Sequence, residues 1–414
     1  MASTPHVPID SSSSSALPSA LPSPPTLNCV TRERKQVWQN VEDLFREHFH
    51  EPDVEAAKVV LACAAAHRIS AFPPVWNMAV AVAGSMKTVI LESLDGLDSV
   101  YLIDEVTPQA FISGKIDNDG KKRKTPASLL HRIGEQGIVV SADFSTILTS
   151  DPRNRAKVFS QLRRIYDGHL RREFGSDENL DEREWKGRLT FMAGVTPEVD
   201  RHHKVFSSLG DRFIRTRWPR AGGADAAMRA MRQNREVPQR VKARVHALMS
   251  PILMESEVAA PVFPDRLFQR LANLGELIAL ARAYVPRDRR DDIEGEAQAE
   301  SNTRLPQELA QVGRGWAALM SRAEVSEEDF KLIRRAAFDS LPPMRRYALD
   351  RVAQGMTLQS PDYPPTTVFR ATEDLEAIGL IMVEKKMGRP RAEGRYVLTK
   401  KAESLLIGAG EDVR

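Results

Sequence analysis

The sequence predicts an α/β chain. A mostly parallel sheet is covered by helices on both faces, then a helical region leads into a small C-terminal unit. Three observations predict this. Between residues 71 and 220, short apolar runs alternate with helical patterns. Two of those runs, "GIVVSA" and "LTFMAGV", are apolar at nearly every position, as strands buried on both faces are. After Pro219 the strand signal stops, and apolar residues recur at helical spacing to about residue 340.

The elements follow in order. Residues 1–31 contain "IDSSSSSALPSALPSPPT", too poor in apolar surface to offset ordering entropy, and are expected to be a disordered arm. Residues 32–70 read as two helices, "VWQNVEDLFREHF" and "VEAAKVVLACAAAHRI". "AFPPVW" breaks the chain before a strand expected over Met78 to Val82, and a helix from Thr88 to about Leu94 follows. Strands in "SVYLIDEVT", "GIVVSADF", "GRLTFMAGVT" and "RFIRTRW" are separated by helices in "ASLLHRIGEQ", "RAKVFSQLRRIYDG" and "EVDRHHKVFSSLG". Residues 221–340 read as a helical lid, interrupted by the charged stretch "VPRDRRDDIEGEAQAESN", expected to be an exposed loop. Residues 341–414 read as a separate small domain.

Composition narrows the function classes. The 414 residues carry a net charge of +3, so affinity for nucleic acid must come from local patches. Two cysteines, Cys29 and Cys63, are too few for a disulfide or zinc framework and fit a reducing cytosol. No apolar run reaches a membrane span and the N-terminus lacks a secretion signal, so a cytoplasmic protein without a membrane partner is expected. His202 and His203 are adjacent and point apart on a helix, which argues against a metal site there.

The stretch "AVAGSMKTV", Ala81 to Val89, ends in the Lys-Thr pair that closes a phosphate-binding loop. Such a loop joins a buried strand to a helix N-terminus, so that backbone N–H groups and the helix dipole face the phosphates. Gly84 and Ser85 give the loop freedom, Lys87 neutralises phosphate and Thr88 coordinates Mg²⁺. Ala81 and Met86 stand where the pattern has glycine. About 55 residues on, "GIVVSADF" ends in Asp143, a carboxylate suited to the Mg²⁺ shell. Asp104 and Glu105 in "VYLIDEV" compete for that role, only 17 residues after Lys87 in the case of Asp104. Phe144 follows Asp143 where a water-orienting acid would stand, and Glu105 is the alternative. "LTFMAGVT" ends in Thr196, a polar residue in reach of a γ-phosphate, and "GDRFIRTRW" offers Arg212.

Lys87–Thr88, Asp143, Thr196 and Arg212 together resemble the AAA+ ATPases, in particular minichromosome-maintenance helicases and ATPases of phages, plasmids and mobile elements. The resemblance spans about residues 70 to 340. It implies a three-layer P-loop NTPase core, ATP and Mg²⁺ as cofactors, and a homo-oligomeric ring such as a hexamer, in which Arg212 of "GDRF" acts across the subunit interface. "TRLPQELAQVGRGWAALMSRAEVSEEDF" resembles the helical lid, whose first arginine senses nucleotide; that position is Arg304.

Three segments point to DNA. Lys121, Lys122, Arg123 and Lys124 form a basic loop that the resemblance places in the ring pore. "HLRREFGSDENLDEREWKGRL" reads as a hairpin with Arg171, Arg172, Arg183 and Lys186 as phosphate contacts. The C-terminal unit resembles a winged helix-turn-helix, with Thr366 to Ile378 as recognition helix and Lys385 to Arg395 as wing. From Ile381 to Lys401 there are seven Lys/Arg and two Glu. Thr366, Thr367 and Arg370 on the helix, with Arg389 and Arg391 on the wing, suit a DNA groove. The sequence thus predicts an ATP-hydrolysing DNA motor or initiator. The alternative is a winged-helix regulator whose nucleotide domain turns ATP over slowly or not at all.

Overall fold

In a computed structural model, residues 27–112, 128–172, 184–202, 206, 211–220, 222–359, 363–384 and 395–413 are described. The chain opens with α1 (Leu27–His48) and α2 (Val54–Ala65); the Asp53 side chain caps α2 by accepting the Ala56 N–H at 3.0 Å. The core elements are β1 (Trp76–Val80), α3 (Lys87–Glu92), β2 (Val100–Ile103), α4 (Pro108–Phe111), α5 (Leu129–Ile133), β3 (Gln136–Ser141), α6 (Ser145–Thr149) and α7 (Pro152–Tyr166). They continue with β4 (His169–Arg171), β5 (Glu184–Lys186), β6 (Arg188–Val195) and β7 (Phe213–Arg217). The helical region holds α8 (Ala224–Arg232), α9 (Glu236–Leu253), α10 (Asp265–Ala281), α11 (Arg304–Leu319) and α12 (Glu327–Asp339). The C-terminal unit is α13 (Pro343–Ala353), α14 (Pro365–Ala377), β8 (Ile381–Glu384), β9 (Arg395–Leu398) and α15 (Lys400–Ala409).

The main sheet has five strands in the order β2-β3-β6-β1-β7, and every pairing in it is parallel. Side chains alternate between its two faces, so each strand feeds two cores. Ala79, Ile138, Val140, Met192 and Ile214 join one cluster with α2, α3, α9 and α11. Met78, Val139, Phe191 and Phe213 join the other with α5, α6 and α7. This double burial explains the near-continuous apolar runs.

Three expectations are corrected. β1 covers residues 76–80 rather than 78–82, because the chain leaves the sheet after Ala81 donates its N–H to Val195 O at 3.0 Å. Where a helix is expected in "EVDRHHKVFSSLG", a 3₁₀ turn covers Pro197–His202, and most of the remainder lies outside the described residues. The charged stretch after α10 is a largely exposed loop, as expected, but residues 284–298 form an arm closed by antiparallel bridges Tyr284–Gln298 and Arg287–Ile293. The C-terminal unit is also less separate than expected. Leu375, Leu380, Leu406 and Ala409 belong to the same buried cluster as the lid helices, and α15 packs along α10.

Candidate functional site

Parallel strands present all their carboxyl ends at one edge of the sheet, and ligands of open α/β sheets sit outside that edge. Here β1 and β6 are adjacent there, and the chain leaves them in opposite directions: from β1 towards β2, from β6 towards β7. The loop after β1 reaches α3 through Gly84, Ser85 and Met86. Gly84 has φ +78°, and no non-glycine residue of this loop has a positive φ. Met86 has φ −66° and ψ −11°, which any residue adopts, and its side chain is buried in the core. The backbone therefore requires glycine at one position, and glycine is there.

Lys87 opens α3 and is buried, its Nζ donating to Val195 O at 3.2 Å at the end of β6. Burial lowers its pKa, and the nearby Asp143 carboxylate opposes that shift. Thr88, half-buried, lies in the first turn of α3. Asp143 follows β3; its Oδ1 accepts the Ser145 N–H at 3.0 Å, and Ser145 Oγ accepts the Thr196 N–H at 3.0 Å. Ser145 thus ties Asp143 to Thr196, a link the Asp-x-Ser spacing of "ADFS" allows but did not announce. Gly194 sits at the crowded centre: a Cβ there would lie 2.1 Å from Ala142 O.

The strand order ranks the carboxylates by distance from the β1 loop. Two steps separate β3 from β1 and three separate β2 from β1, about 10 Å against about 14 Å at the usual strand spacing. Asp143 is accordingly the nearer, and Asp104 and Glu105 are exposed beyond the edge strand. Phe144 turns away into the second core, 5.4 Å from Phe191 between ring centroids.

An open pocket adjoins Gly84, Ser85 and Met86. Phe49 and His50, Asp53, Trp218 and α8 form its other walls. α8 is held over it by Arg229, which donates to Phe49 O at 3.3 Å, and by Gln233, which donates to His48 O at 2.5 Å.

Arg212 and Arg304 are not in this group. β1 and β7 pair with Trp76 opposite Phe213 and Val80 opposite Arg217. Arg212 therefore lies at the amino edge, across the sheet from Lys87. Its guanidinium is 5.3 Å from the Tyr166 ring and 3.5 Å from Asp167. Arg304 is beside it, donating to Asp211 O and to Glu300 Oε2, each at 2.5 Å. The arginines at the Lys87 edge are two that the sequence reading passed over. Arg217 ends β7 and pairs with both Asp200 oxygens at 2.9 and 2.7 Å. Arg335 of α12 donates to Asp53 Oδ2, Asp339 Oδ2 and Arg217 O, each at 2.7 Å. No local signal distinguishes them from other surface arginines; only the packing of α12 does.

Of the DNA-directed residues, Thr366, Thr367 and Arg370 are exposed at the start of α14. β8 and β9 pair antiparallel, as a wing requires, while Arg389 and Arg391 lie outside the described residues. Lys121, Lys122, Arg123 and Lys124 also lie outside them, as does Arg183. β4 and β5 pair antiparallel as the expected hairpin ends; Arg172 donates to Ile112 O at 2.6 Å, and Lys186 pairs with Glu184 at 3.1 Å.

Among the described residues no helix is long and apolar enough to cross a membrane, and no three His, Cys, Asp or Glu side chains gather as a metal cage. Fold and site define a class: an α/β protein with a five-stranded parallel sheet and a buried lysine at its carboxyl edge, under the influence of a nearby carboxylate. The chain matches no protein-family model, and no curated protein is similar to it in sequence.

Proposed function

We propose that the chain is an AAA+-like P-loop ATPase that binds ATP with Mg²⁺ and engages DNA through a C-terminal winged helix. One observation carries this reading: Lys87 and Asp143, more than 50 residues apart, lie near one another at the carboxyl edge of a parallel sheet, beside a pocket lined by Gly84, Ser85 and Met86. Lys87 and the α3 N-terminus supply positive potential for phosphates. The Thr88 hydroxyl and the Asp143 carboxylate are hard oxygen donors suited to Mg²⁺. That ion, when bound, neutralises charge on the phosphates. Thr196, tied to Asp143 through Ser145, is the polar group set to contact the terminal phosphate.

The test is ATP turnover with and without duplex DNA, for the parent and Lys87→Ala. DNA-stimulated turnover that falls at least 100-fold in the variant is the expected result. DNA binding with no turnover in either protein removes the motor. A second reading, a DNA-binding regulator that holds ATP without hydrolysing it, is favoured by Phe144. Its ring is buried in the core where a water-orienting acid would be needed.

A further inference from the structure

The arm over residues 284–298 is exposed over most of its length, but it touches α14. Its tip lies on α14. Arg287 donates to Asp374 Oδ1 at 2.7 Å and to Glu373 Oε2 at 3.4 Å, and also to Arg370 O at 3.4 Å. Asp291 pairs with Arg370 at 2.6 Å. The contacted residues fall on one side of α14. Val368, Ala371, Thr372 and Leu375 are its buried face. At 100° per residue, Arg370 and Glu373 point close to the opposite direction. The arm therefore covers the outer face of the helix, leaving Thr366, Thr367 and Phe369 exposed at its start.

We propose that this arm is an intramolecular gate: Asp291 occupies Arg370, and nucleic-acid phosphate displaces the arm tip to take that arginine. The inference rests on the winged-helix reading of the C-terminal unit. The two attachments differ in strength in the way a gate needs. Arg287 and Asp374 are 15% and 17% exposed, and Asp374 is also held by Arg345 at 2.9 Å, so the root is firm. Arg370 and Asp291 are 59% and 40% exposed, so water and salt screen the tip pair and it exchanges readily. A backbone phosphate offers Arg370 an acceptor of the same charge, and neighbouring phosphates add to its pull. The tip turn is self-contained: Asp288 Oδ1 accepts the N–H groups of Arg290 and Asp292 at 2.8 and 2.9 Å, so it can lift as a unit.

Two variants of the full chain test this by duplex-DNA binding across a salt series. Asp291 has φ +70°, a conformation asparagine tolerates, so Asp291→Asn removes the charge and keeps the turn. It is expected to bind about 3- to 10-fold more tightly at low salt. Arg287→Gln is the sharper case. It removes a positive charge, so electrostatics alone predicts weaker binding, while release of the arm predicts tighter binding. If the parent binds DNA and Asp291→Asn binds equally or less tightly, the gate is overturned and the winged-helix reading stands. If neither the parent nor either variant binds at low salt, both are overturned.

Discussion

At the residue scale, the question left by "AVAGSMKTV" concerns Met86. A glycine in a phosphate loop matters where the backbone must take a positive φ or approach the phosphate closely. The positive φ belongs to Gly84, and Met86 adopts a helical conformation with its side chain in the core. Its replacement of glycine thus supplies packing rather than strain. Met86→Gly is expected to lower unfolding stability by about 2–4 kcal/mol, measured in denaturant, because a buried side chain is lost and helix entropy rises. It is expected to leave ATP turnover no higher than in the parent; a rise in turnover at unchanged stability would show that Met86 does obstruct the site. Sequence reading singled out Lys87, Thr88, Asp143 and Thr196 because each follows a strong apolar run, and the structure puts each just after a strand of the sheet. It favoured Asp143 over Asp104 because Asp104 follows Lys87 by only 17 residues, and the strand order, which no local pattern contains, puts β3 nearer to β1 than β2 is.

At the element scale, strand–helix alternation was legible because double burial writes itself as apolar runs, whereas the seating of the lid helices was not. Arg304 illustrates this. The amphipathic pattern of α11 identifies a helix, but not which edge of the sheet its first turn meets. It meets the amino edge, where the buried Asp211, Arg215, Arg282 and Glu308 form a charged cluster with the half-buried Glu300 and Arg304. The arm was missed for a related reason: its charges read as solvation, yet several are spent on α14. Within the α11 cluster, Glu308 accepts the Tyr166 hydroxyl at 2.6 Å, joining α11 to the end of α7. Burial pushes its carboxyl up to about 7, against the pull of Arg304, Tyr166 and Arg282. Because the folded pKa exceeds the unfolded value, the folded state binds the extra proton between about pH 4.5 and 7. Its contribution is fully present below about 4.5 and is lost as pH rises through about 7, an effect of about 3 kcal/mol. Thermal unfolding of the parent and Glu308→Gln at pH 5 and pH 8 is the check. The parent should lose stability between those values by more than the variant does, and equal losses would remove Glu308 as the source.

At the scale of the whole molecule, the sheet separates two arginine groups. Arg217 and Arg335 lie at the Lys87 edge, and there Asp339 joins three parts of the chain. Its oxygens accept from Arg217 N of β7 at 2.9 Å, Arg335 Nε of α12 at 2.7 Å and Arg346 of α13 at 2.7 Å. Core, lid and C-terminal unit therefore share one buried carboxylate at the edge where nucleotide is proposed to bind. Arg212 lies at the other edge, the length of β7 away, about 16 Å at the usual rise per residue. No rotamer carries it to the Lys87 site of its own chain. If Arg212 takes part in hydrolysis it acts on a second copy, in a head-to-tail contact that closes into a ring or runs on as a filament. Mixing separates this from a structural role. Lys87→Ala and Arg212→Ala are each expected to be inactive alone. In a mixed oligomer, a Lys87→Ala copy still offers its Arg212 to the intact Lys87 of an Arg212→Ala neighbour. With random equal mixing about one interface in four regains both groups, so turnover should recover to about a quarter of the parent's. Mixed oligomers that form, shown by native mass, yet remain as inactive as either variant would rule out Arg212 acting in trans.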